Sequence, residues 1–76
     1  MVVYLQNNLY HRMFENNLYN LMMQATQEHL SLWRIKKEYL EDASQNPEAK
    51  AFWGKMITDK EAHINELKVL IKKELQ

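Results

Sequence analysis

One glycine and one proline, Gly54 and Pro47, leave this chain almost without turn-forming residues. Strand hairpins need clusters of Gly, Pro, Asn or Asp at short, regular intervals, so a hairpin-rich β fold is excluded. A glycine-rich phosphate loop is excluded for the same reason. Long helices are what remains. The clearest boundary is Ser44-Gln45-Asn46-Pro47-Glu48. There Pro47 pushes Asn46 out of the helical region and is itself suited to a first helical position. Asn46 reads as the N-cap of a new helix, with Glu48 in its first turn to offset the helix dipole.

Beyond Pro47, the residues Phe52, Met56, His63, Leu67, Leu70 and Leu75 recur mostly at steps of three or four, flanked by Trp53, Ile57, Ile64 and Ile71. This spacing predicts an amphipathic helix over residues 47–75, closed by Lys72 and Lys73 at its negative end. Upstream, Leu18, Leu21, Met22, Ala25, Leu32, Ile35, Tyr39 and Ala43 follow the same rule. They predict a first helix that reaches residue 43 and, if continuous, begins near residue 4. Asn16-Asn17 marks a candidate break in it, because Asn competes for its own backbone. The echo of Asn7-Asn8-Leu9-Tyr10 in Asn16-Asn17-Leu18-Tyr19 is nine residues long and swaps helix faces, so it is no solenoid unit. With a turn at 44–46 between them, the helices are expected to fold back on each other. The predicted fold is therefore a single all-α domain over residues 1–76, an antiparallel two-helix hairpin.

A lone core of this size is marginal, since surface grows relative to buried volume as chains shrink. The chain has no Cys, so neither disulfides nor a thiolate zinc site can add support. Association with another copy is the remaining route. A first helix from residue 4 would be roughly 60 Å long against roughly 43 Å for the second, and its overhang would carry Leu5, Leu9, Met13 and Phe14 without an intrachain partner. Those four residues, with Trp33 and Trp53 as rim anchors, form the expected oligomer interface. The expected assembly is a homodimer that completes a four-helix bundle. Gly54, in mid-helix, suggests close approach by a neighbouring helix.

Ten basic residues balance ten acidic ones, and the basic ones are scattered. The footprint for nucleic acid or an anionic membrane is missing. Met1-Val2-Val3-Tyr4-Leu5-Gln6 has no basic start and no apolar run long enough for a signal peptide or a span, so a cytoplasmic location is expected.

One layer of the hairpin carries ionisable groups. Counting outward from Asn46 puts His63 level with Glu28 and His29, while Asp59 and Glu66 share the face of His63. Carboxylates and imidazoles at one depth of a bundle suit Fe, Mn or Zn. Set against this, a Glu and a His in a helical seam also serve as a hydrogen-bonded pair that fixes register. The methionines Met13, Met22, Met23 and Met56 read as gap fillers, and Lys36-Lys37 and Lys72-Lys73 as solvated faces.

The stretch Tyr39-Leu40-Glu41-Asp42-Ala43-Ser44-Gln45-Asn46-Pro47-Glu48-Ala49-Lys50-Ala51-Phe52, followed by Asp59-Lys60-Glu61-Ala62-His63, resembles the helix-turn-helix of the ferritin-like superfamily. That superfamily includes rubrerythrins, two-helix encapsulated ferritins and ferritin-like spore-coat proteins. The resemblance covers about half of the chain. It implies a di-iron centre held by a Glu of the first helix and a Glu-x-x-His pair of the second, often completed by two hairpins. His63 matches the family His and Glu28 is the nearest match to the first-helix Glu. The position three before His63 holds Lys60, a cation in place of the ligand carboxylate, with Asp59 adjacent as a substitute.

No nucleophile elbow, P-loop or zincin spacing is present, and two helices offer little concavity for an organic substrate. The chain is therefore expected to be no enzyme and to need no cofactor. The leading expectation is a non-catalytic module that associates with itself, or with another protein through its N-terminal segment. The alternative is a carboxylate and imidazole site for Fe, Mn or Zn built from Glu28, His29, Asp59, His63 and Glu66.

Overall fold

The computed structural model describes residues 16–76. Expectations for Leu5, Leu9, Met13 and Phe14, for the first copy of the Asn-Asn-Leu-Tyr echo and for a helix start near residue 4 lie outside the described residues. Within them the chain is all-α, with no strand. Helix α1 spans Asn16–Arg34, a π-helical turn spans Ile35–Tyr39, a short helix α2 spans Leu40–Asp42, and helix α3 spans Pro47–Leu75.

Asn16 and Asn17 are helical, the first two residues of α1. Within the described residues, the first helical stretch departs from the α pattern at the π-helical turn, which spacing alone did not predict. Arg34, Tyr39 and Leu40 all keep right-handed helical dihedrals, so the chain does not break there. What changes is the hydrogen bond: the Leu40 N–H donates to the Ile35 carbonyl, one residue beyond the α pattern. Ile35, Tyr39 and Ala43 are spaced by four and four. At 3.6 residues per turn, those eight steps would rotate Ala43 about 80° away from Ile35. The wider turn absorbs that drift, and Ile35 (1% exposed) and Ala43 (6%) are both buried.

The connection between α2 and α3 is built by local hydrogen bonds. Ala43 N–H donates to the Tyr39 carbonyl at 3.0 Å, Ser44 N–H to Glu41 at 3.1 Å, and Asn46 N–H to Ala43 at 2.9 Å. Asn46 is extended, at φ −130° and ψ 92°, and its side-chain oxygen accepts from the Ala49 N–H at 3.1 Å. That caps α3, with Pro47 in its first turn. Lys72 and Lys73 occupy its last turn, where cations meet the negative end of the dipole.

The two long helices touch along their length. Asn17 Nδ2 donates to Glu74 Oε2 at 3.2 Å, Glu28 meets His63 at 3.2 Å, and Lys36 meets Glu61 at 3.1 Å. Tyr39 packs on Trp53 with ring centroids 4.9 Å apart and planes tilted by 46°. Partners further along the first stretch thus fall earlier in α3. The buried apolar set among the described residues is small: Leu18, Ile35, Ala43, Ile64 and Leu67.

A Cβ added at Gly54 would meet nothing within 4 Å, so the close approach suggested by the sequence is not made within the described part of the chain. Two substitutions should therefore differ in sign. Ile35→Ala is expected to lower the unfolding free energy by about 2–4 kcal/mol through cavity formation. Gly54→Ala is expected to raise it by about 0.5–1 kcal/mol by restoring helix propensity in open space. Urea denaturation followed by circular dichroism measures both.

Candidate functional site

Glu28 is the one buried charged residue among the described residues, at 8% exposed. It lies on α1 in the stripe that includes Leu18, Leu21, Ala25 and Leu32, so helical periodicity alone turns it toward α3. A carboxylate placed there needs partners, because an unpaired buried charge is strongly unfavourable. It has three. His63 Nδ1 donates to Oε1 at 3.2 Å, Gln24 Nε2 donates to Oε2 at 3.0 Å from one turn upstream, and Lys60 Nζ stands 3.5 Å from Oε1. No buried side-chain nitrogen or oxygen among the described residues is left without a partner.

The electrostatics follow from that geometry. Burial is the largest influence on the Glu28 carboxyl and opposes its charge. The hydrogen bonds from His63 and Gln24, with the attraction of Lys60 and His63, outweigh it and hold the carboxyl below its ordinary value. The Lys60 ammonium is nearly as enclosed as the carboxylate, with side-chain exposures of 14% and 10%. The His63 side chain is 58% exposed, so one edge of the layer is open to water.

The five metal candidates do not form one cluster. Glu28 and His63 are in contact, and Glu66 lines the same groove together with Gln24, Leu67 and Leu70. His29 lines a different groove with Leu32, Glu61, Ile64 and Asn65. Asp59 is exposed and lines neither groove. Among the described residues no three His, Cys, Asp or Glu side chains come close enough to hold a metal ion. Lys60 stands where a second carboxylate ligand would be required, and its ammonium occupies the Glu28 oxygen such an ion would use. As a donor set within one chain, these residues do not fit a di-iron centre.

Two members of the layer escaped sequence reasoning. Gln24 carried a signal, since it lies four residues before Glu28 on one helix face. Lys60 was visible only as a departure from a ligand pattern, although its place one turn before His63 puts it on the same flank of α3. Of the tryptophans assigned to an interface, Trp53 is engaged with Tyr39 and Phe52, the latter with ring centroids 5.2 Å apart. Trp33 is 58% exposed. Among the described residues no helix is long and apolar enough to cross a membrane. Comparison with protein-family models, curated proteins and solved structures yields no match.

Because the Glu28 carboxyl is held below its ordinary value in the folded chain, it contributes stability above that value, and the contribution is lost as pH falls through the folded one. Glu28→Gln is expected to cost about 1–3 kcal/mol at neutral pH and to flatten the acid limb of stability. Urea midpoints of both proteins, taken from pH 7 down into the carboxylate range, check this. Parallel acid limbs would count against the assignment.

Proposed function

We propose that this protein is a non-catalytic, homo-oligomeric helical-bundle module that works by protein association. In this reading the chain is an antiparallel two-helix hairpin, and two copies pair into a four-helix bundle in the cytoplasm. The observation that carries it is the mismatch, among the described residues, between five buried apolar residues and eight large apolar residues that stay exposed. Met22, Met23, Leu30, Trp33, Phe52, Val69, Leu70 and Leu75 are all more than 40% exposed. The opposite order of contacts along the two helices supports the hairpin. The partnered layer at Glu28 supports a role in setting register, since a charge satisfied in one alignment is stranded in any other.

Light scattering on the purified chain is expected to give twice 9.2 kDa, with a melting temperature that rises with protein concentration. A stable monomer of concentration-independent melting temperature would reject the reading. Pull-down comparing the full chain with one lacking residues 1–17 separates self-association from docking on a different protein. The ferritin-like alternative requires donors from a second copy and release of Lys60 from Glu28. Fe, Mn or Zn bound stoichiometrically in purified protein, and lost in His63→Ala, would favour it over the structural role of this layer.

A further inference from the structure

Beside the connection between α2 and α3 lies a groove lined by Tyr39, Asp42, Ala43, Asn46, Ala49 and Trp53. Two alanines, one from each side of the connection, leave the space, and two aromatic rings bound it. The Tyr39 and Trp53 rings are tilted by 46° with centroids 4.9 Å apart, so neither lies flat over the other, and both are partly exposed. Phe52 packs edge-on against Trp53, with centroids 5.2 Å apart, and is not part of the lining. Tyr39 closes the π-helical turn, roughly 35 Å along the first helical stretch from Asn16. The groove is therefore at the far end of that stretch from the point where the described residues begin.

The Asp42 carboxylate is exposed and makes no ion pair or hydrogen bond among the described residues. Residues 38–49 hold Glu38, Glu41, Asp42 and Glu48 and no Lys or Arg, so the local field is negative. The first helical stretch also ends here and adds the negative end of its dipole. In the Glu28 groove Lys60 supplies a neutralising cation, whereas no cation among the described residues meets Asp42 or these two rings. An aromatic face attracts a cation through its quadrupole, and a neighbouring carboxylate adds full charge. The Asn46 side-chain oxygen already accepts from the Ala49 N–H, which leaves few acceptors for a ligand rich in N–H groups. A planar guanidinium can stack on only one of two tilted rings, while a rounded ammonium touches both. We infer that this groove binds a quaternary ammonium head group, held by the Tyr39 and Trp53 rings and charge-balanced by Asp42. The site is complete in one chain, so it goes beyond the oligomeric reading and stands or falls separately from it.

Choline chloride titrated into the full chain at constant ionic strength, followed by nitrogen-proton NMR, tests this. The Trp53 indole and Asp42 amide signals are expected to shift saturably, with a dissociation constant on the order of millimolar. The uncharged isostere 3,3-dimethylbutanol should bind about tenfold more weakly. Asp42→Asn is expected to keep its helical circular dichroism and weaken choline binding about three- to fivefold. Trp53→Phe, which keeps a ring of weaker quadrupole, should weaken it too. Glu74→Gln, the same charge change at the other end of α3, should leave it unaltered. A peptide carrying trimethyllysine is the second probe: binding tighter than that of choline assigns the head group to a partner protein, and weaker binding assigns it to a free small molecule. No saturable shift with either probe up to about 50 mM, equal binding of the uncharged isostere, or an unchanged constant in folded Asp42→Asn overturns the inference, whatever the number of copies in the assembly.

Discussion

A single carboxylate, Glu28, sets the terms on which the two helices can meet. It is buried in a seam otherwise made of aliphatic side chains, and its hydrogen bonds and ion pair come from Gln24 on its own helix and from Lys60 and His63 on the other. Apolar contacts have no direction, and a Leu or Ile layer would tolerate a slide of one helical turn with modest loss. A slide that removes Glu28 from Lys60 and His63 strands a charge in low dielectric, which costs far more than a mismatched methyl group. The Asn17 to Glu74 hydrogen bond and the Tyr39 to Trp53 contact lie in the same alignment toward opposite ends of the helices. They are more exposed and weaker, and they are consistent with the register set at the centre.

That seam is narrow. Domains ordinarily bury their apolar faces between packed layers, and here the described residues supply two helices side by side, with five buried apolar residues between them. Among the described residues, Met22, Met23, Leu30 and Trp33 of α1 stay more than 40% exposed on a face away from that seam. The same economy accounts for the π-helical turn: a seam position every fourth residue from Ile35 through Tyr39 to Ala43 cannot stay on one side of a regular α-helix. One additional residue in a single turn keeps Ile35 and Ala43 inside without breaking the chain.

The helical class of this protein is written in its residues: scarce Gly and Pro, three-four spacing and the Asn46-Pro47 cap are local signals, and local dihedral and hydrogen-bond preferences act on them before any tertiary contact exists. The contact of Glu28 with His63 is almost as legible, since it follows from counting outward from the turn. What could not be read is how each side chain leans. His29 is adjacent in sequence to Glu28 yet lies about 100° around the helix from it, and it borders another groove. Asp59 neighbours Lys60 and remains in solvent. Lys60, a misfit in a ligand pattern, becomes the cation that neutralises the buried carboxylate. The sequence by itself determined that the chain is helical and where the last helix begins, because both depend on residues within a turn of one another. Only the tertiary structure decided which charges share a layer and where the helix must widen, because each depends on the facing helix and on the space it leaves.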